Sequence, residues 1–200
     1  MTERGGLPIG RRGFLGLLGA GTVAGVAGCL GGDGDDGSAH VDGDQAGNSY
    51  DPNVDEHPGD DPIEFAETQG CAVCNMTPTD YPQWQSQLAH KDGTGAVFDT
   101  PGCLFAYLVA TSSDSAVAGA WATDHGTGDL IDATDAHFVV VTDATAADDP
   151  MDINPRVFAD HDDAVAYLEE WDAESLTEDD IIGLEDVDVE IASIYRGNRL

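Results

Sequence analysis

The chain has 200 residues, of which 39 are acidic and only seven are Lys or Arg, for a formal charge of −32. A surface this negative repels phosphate and excludes nucleic-acid binding. Charge spread so evenly along the chain fits a high-salt medium instead, where the screening length shrinks to roughly 3 Å and self-repulsion is quenched.

The N-terminus carries an address. Arg11-Arg12-Gly13-Phe14-Leu15 is a twin-arginine export signal, and the Gly-rich apolar stretch Gly16 to Gly28 is too short and too mild for a spanning helix. Val26-Ala27-Gly28-Cys29 resembles the lipobox of exported lipoproteins, which makes residues 1–28 the signal and Cys29 the lipidated residue. The expected location is the outer face of the cell membrane, held there by the lipid. The chain from Cys29 onward has four basic against 38 acidic residues, a formal charge of −34. Residues 29–62 are mostly Gly, Asp, Ser, Asn and Pro, too poor in apolar groups to fold, and read as a disordered tether.

Residues 63–200 can form one domain of ordinary size. It opens on Cys71-Ala72-Val73-Cys74-Asn75-Met76, two thiols and a thioether within six residues. Gln85 to His90 and Gly95 to Asp99 read as strands around the turn Lys91 to Gly95. Thr100-Pro101 supplies an N-cap and an N1 proline for a helix through about Thr111, with Leu104, Phe105, Tyr107 and Leu108 facing the core. Strands follow at Ala116 to Thr123, at Leu130-Ile131 and at His137 to Thr142. Arg156-Val157-Phe158 is extended, and Asp162 to Trp171 is helical. Leu176 to Leu184 reads as a short helix and Val187 to Tyr195 as a closing strand.

Val97-Phe98 followed by Ala106-Tyr107-Leu108 recurs sixty residues later as Val157-Phe158 followed by Ala166-Tyr167-Leu168. Each copy sits where a strand leads into a helix, with a strand candidate on either side. A duplicated strand–strand–helix–strand unit accounts for this, so the expected class is α+β, a small domain of two related halves.

Four readings of the cysteine knuckle compete. A thioredoxin-like redox pair needs a helix directly after C-x-x-C, and the prolines at Pro78 and Pro82 oppose one. A structural zinc site would draw on Cys103 and one His. A disulfide between Cys71 and Cys74, or from either to Cys103, suits an oxidising compartment, although three thiols remain once Cys29 is lipidated. In the fourth, Cys74-Asn75-Met76 supplies soft sulfur ligands to Cu(I). His137 is the first histidine to consider as a further ligand, with His90 and His125 behind it. Cys103 itself reads as a buried, inert thiol on the first helix. No nucleophile elbow, phosphate loop or paired-acid arrangement is visible, so no enzyme activity is expected.

The knuckle belongs to a longer pattern. Tyr81-Pro82-Gln83-Trp84 follows it, then Val97 to Leu108, Trp121 to His125, Ile131-Asp132-Ala133, Ala136 to Val140, Asp149-Pro150-Met151 and Val157-Phe158-Ala159. In order and spacing this resembles the NosL family, lipoprotein accessory factors of nitrous oxide reductase assembly, over roughly residues 70–171. The resemblance implies a Cu(I)-binding metallochaperone that delivers copper to nitrous oxide reductase together with its assembly machinery. It implies that Cys74 and Met76 are the Cys-x-Met copper motif and that Met151 is the downstream methionine. Cys71 is extra to that motif in some members, so it is a third sulfur ligand, a disulfide partner or neither. Asn75 stands where many members have glycine, a place that asks for the left-handed turn conformation. Asp152 likewise stands where glycine often follows the downstream Met.

Overall fold

The computed structural model describes residues 48–200, so the export signal, Cys29 and the first part of the tether lie outside the described residues. Two antiparallel sheets and four helices make up the fold. The first sheet has the order β2-β1-β3-β4, from β1 (Ser86–His90), β2 (Gly95–Phe98), β3 (Val117–Thr123) and β4 (Leu130–Asp132). The second has the order β6-β5-β7, from β5 (His137–Val139), β6 (Arg156–Phe158) and β7 (Ile181–Ile182). The helices are α1 (Pro101–Ala110), the single turn α2 (Ala144–Ala147), α3 (His161–Glu170) and α4 (Val189–Arg196).

The two halves share a topology as well as a sequence echo. In the first, β1, β2, α1 and β3 follow in chain order, with β1 hydrogen-bonded between β2 and β3. In the second, β5, β6, α3 and β7 follow in the same order, with β5 between β6 and β7. The helix after the second strand spans 101–110 in one half and 161–170 in the other, the same sixty-residue offset as the Val-Phe repeat. The halves are joined where His125 N donates to Val157 O (2.7 Å) and Ala159 N to Asp124 Oδ2 (2.8 Å).

Helix α1 is buried all round from Pro101 to Tyr107, not on one side only. A helix that is apolar on every face belongs in an interior, and α1 lies between the first sheet and α4. Phe105 reaches both Phe138 of the second sheet (5.2 Å between ring centroids) and Tyr195 of α4 (5.8 Å). Tyr107 stacks obliquely on Phe98 (5.2 Å), and its hydroxyl meets His90 Nε2 at 2.9 Å.

Three expectations change. Where a strand is expected over Val187 to Tyr195 the chain forms helix α4, because Asp188 caps it by accepting from Ile191 N (2.9 Å) and the helix buries Ala192, Tyr195 and Arg196 at helical spacing. The alternation Val187-Asp188-Val189-Glu190-Ile191 that suggests a strand falls largely in the first turn. The helix expected at Leu176 to Leu184 is a 3-10 turn, Glu178–Asp180, followed by β7. Residues 48–62 do not behave as tether: Tyr50, Val54 and His57 are buried against the domain. Val54 pairs with Gly95, where a Cβ would stand 2.7 Å from Leu88 O, and His57 stacks on Trp121 (5.4 Å). Three buried side chains, with backbone bonds such as Tyr50 N to Ala110 O (2.9 Å) and His57 N to Gly93 O (2.7 Å), dock a segment whose average composition is that of a linker. No helix among the described residues is long and apolar enough to cross a membrane.

Candidate metal centre

Three short pieces of chain converge at one end of α1. The first is the loop 71–76, closed where Cys71 N donates to Met76 O (2.7 Å) and Asn75 N to Cys71 O (2.9 Å). Asn75 makes the reversal with φ +62°, the left-handed conformation that its position calls for. Ala72 N bonds Val97 O (3.0 Å), which pins the loop to β2. The second piece is Asp99, directly after β2. The third is the first turn of α1, where Thr100 is the N-cap, Pro101 opens the helix and Cys103 follows.

The result is a cluster of Cys71 Sγ, Cys74 Sγ, Cys103 Sγ and a carboxylate oxygen of Asp99, all within 4.8 Å of one another. All three thiols are free. Cys71 and Cys103 are buried, whereas Cys74 is half-buried and the most accessible of the three. Cys74 Sγ donates to Asp99 Oδ1 at 3.2 Å, and Asp99 Oδ2 is buried with no hydrogen-bond partner. A buried carboxylate oxygen with no donor, beside three thiols, suits a proton or a metal ion as its partner.

Three thiols and a carboxyl this close together titrate as one coupled set. The Cys103 thiol is pulled far down by hydrogen bonds from Cys71 and Cys74, helped by the charge of Arg196 and opposed by burial. Its position in the first turn of α1 favours an anion in the same sense. Cys71 is pushed far up, chiefly by burial. Cys74 is pushed up to about 12, chiefly by its hydrogen bond to Cys103. Burial and then the Cys103 charge raise Asp99 to about 6.

That shift has a measurable consequence. Asp99 binds its proton more tightly folded than unfolded, so the stability it contributes is present below pH ~4 and is lost as pH rises through about 6. Asp99→Asn removes this dependence. Denaturant melts of metal-free protein should show the variant gaining on the parent between pH 4 and 7, by up to about 3 kcal/mol. A stability difference that stays flat across that range would show that Asp99 is not the proton holder.

Of the sequence candidates, Cys71 and Cys74 are in the cluster. Met76 closes their loop, and its N–H points at Cys74 Sγ. Met151 lies in a separate loop with φ +60°, and its carbonyl accepts from Arg196 Nη1 (3.2 Å) while Arg196 Nε donates to Cys103 Sγ (3.2 Å). One guanidinium therefore links the Met151 backbone to the thiols. His137 is elsewhere, on β5, with its ring set edge-on to His161 (5.1 Å). His90 is committed to Ser115 O and the Tyr107 hydroxyl (both 2.9 Å), and His125 packs on Phe158 and Tyr167. The two residues that sequence reasoning undervalued are Cys103 and Asp99. Their signal was the strand-to-helix segment Asp99-Thr100-Pro101-Gly102-Cys103, whose tight turn returns the chain to the same point in space.

The NosL family model matches residues 62–183, well over half of the chain. The chain belongs to the NosL family. This NosL protein is also similar in fold to a solved structure, described as the copper chaperone NosL from Shewanella denitrificans. The TM-score is 0.51 at 18% sequence identity, over 65% of this chain and 97% of that one. No curated protein matches the chain. The NosL match ends at residue 183, so α4 and Arg196 lie beyond it.

Proposed function

We propose that this NosL protein is an exported, lipid-anchored metallochaperone that carries Cu(I) to nitrous oxide reductase during its maturation, and is not an enzyme. The observation that carries the reading is the set of three free thiols beside Asp99, two of them buried and the third, Cys74, only partly so. Thiolates and thioethers are the soft donors that select Cu(I). Buried Cys71 and Cys103 suit retention, and half-buried Cys74 suits release, because an acceptor's ligand can replace it first. The resemblance adds the thioethers of Met76, in the cysteine loop, and Met151 as further candidate donors. The twin-arginine signal and the lipobox at Cys29 support delivery outside the cell at the membrane, and membership of the NosL family supports the client.

Four donors including Asp99 also match the tetrahedral preference of zinc, which makes zinc the second reading. Titration with Cu(I) against a competing chelator, and separately with Zn(II), decides between them. Cu(I) should bind tightly in one equivalent and pass to metal-free nitrous oxide reductase. Cys74→Ser should slow transfer and weaken binding, and Met76→Ala should weaken binding less, both with the fold retained. Tight zinc binding without a preference for Cu(I) would sink the copper reading.

A further inference from the structure

Only four basic residues follow Cys29, and two of them, Arg156 and Arg196, are buried at 3% and 1% exposure. They are partnered in opposite ways. Arg156 has a carboxylate, Asp149, at 2.6 Å. Arg196 has none within ion-pair distance among the described residues. Its Nη1 donates to the carbonyls of Tyr195 (2.6 Å), Ile153 (3.0 Å) and Met151 (3.2 Å), and its Nη2 to Thr100 Oγ1 and Asn154 Oδ1 (both 2.6 Å). Its Nε donates to Cys103 Sγ at 3.2 Å. Every acceptor but the sulfur is a neutral oxygen.

A guanidinium does not lose its charge in a protein, and burying one without a counter-charge is costly. A copper(I) ion held by three thiolates is doubly negative and has the converse problem in a dry site. The two problems offset each other where they meet. Gly102 makes the meeting possible, because a Cβ there would lie 3.0 Å from Arg196 Cζ and 2.9 Å from Asn154 Oδ1. The helix that brings Arg196 is tied to α1 at this point and falls outside the family match.

Resting on the metal-binding reading, we propose that Arg196 is a positioning residue of the metal centre. Its guanidinium aims the Cys103 sulfur at Cys71 and Cys74, offsets the charge of the metal–thiolate complex, and holds the Met151 loop beside it. The C-terminal helix is then part of the site and not merely a cover for the core.

The test titrates wild type, Arg196→Gln and Arg196→Lys with Cu(I) and with Zn(II) against chelators. X-ray absorption counts sulfurs at the bound metal, and thermal melts report the fold. Arg196→Gln should bind the metal about 10–100-fold more weakly, the range for losing an outer partner, with one fewer sulfur at the metal. Arg196→Lys keeps the charge and should recover part of the loss, and it decides the matter if the Gln variant does not fold. Melting losses without any change in affinity or sulfur count would overturn the proposal and leave Arg196 as a strut. The wild-type titration judges the copper reading separately: zinc in place of copper removes that reading while the variants still test Arg196, and no metal at all overturns both.

Discussion

Cys103→Ser is expected to weaken Cu(I) binding on the order of 100-fold or more, beyond what loss of an outer partner costs. Three features set this rank. Cys71, Cys74 and Arg196 all favour loss of the Cys103 proton, so this sulfur yields readily to a cation. It is held from both sides, by the thiols of Cys71 and Cys74 and by Arg196. It is fully buried in the first turn of a helix that is itself the centre of the core, so no neighbour can swing in to replace it. Serine nearly preserves the shape and can accept from Arg196, which limits the stability loss to about 1–3 kcal/mol. Chelator competition reads the affinity and far-UV circular dichroism the fold. If Cys103→Ser binds Cu(I) like the parent while Met76→Ala and a Met151→Ala variant do not, copper sits on the thioethers and the three-thiol cluster is not its seat.

That ranking differs from the one the sequence suggests, and the difference has a physical cause. The Cys-x-x-Cys-x-Met stretch advertises itself because its donors are adjacent in the chain. Cys103 is 29 residues from Cys74 and surrounded by apolar neighbours, the ordinary setting of an inert thiol. Its role exists only because β2 and α1 meet through the turn Asp99 to Gly102 and bring the helix start back to the knuckle. The same turn was legible as local structure: Thr100-Pro101 marks the helix start, and the hairpin β1–β2 follows from its turn residues. The duplicated unit was legible because Val-Phe and the helix after it keep a constant offset, and the matching strand orders of the two sheets bear it out. Helix α4 was hidden because charged and apolar residues alternate through its first turn, where period two and period 3.6 cannot be told apart. Residues 48–62 were hidden for the opposite reason, since Tyr50, Val54 and His57 are diluted by polar residues, and contacts such as Val97 N donating to Asn53 Oδ1 leave no mark on composition.

Asp149→Ala is expected to cost about 3–5 kcal/mol, the range for stranding one partner of a buried ion pair. Arg156 would keep its charge between the rings of Trp84 (5.1 Å) and Trp171 (5.7 Å), with Tyr167 Oη at 3.1 Å and no carboxylate. Asp149 engages it with both oxygens, at 2.6 and 3.0 Å, and also accepts from Asn154 N (2.9 Å). That second contact braces the turn 149–152, in which Met151 and Asp152 hold left-handed backbone at φ +60° and +85°. Side chains at such angles cost energy that only the surroundings can sustain. Removing Asp149 should therefore relax the turn, withdraw the Met151 carbonyl from Arg196 and loosen the grip on Cys103. The expected reading is a fall in Tm of roughly 6–20 °C, accompanied by weaker Cu(I) binding. Asp149→Asn, which keeps the hydrogen-bonding shape without the charge, should fall between the two. Molar salt should leave the effect intact, because screening acts on exposed charges and barely reaches a buried pair. A loss below 1 kcal/mol would mean that the two tryptophans alone can carry Arg156, and that the Met151 turn is held by Asn154 and Arg196 without help from the ion pair.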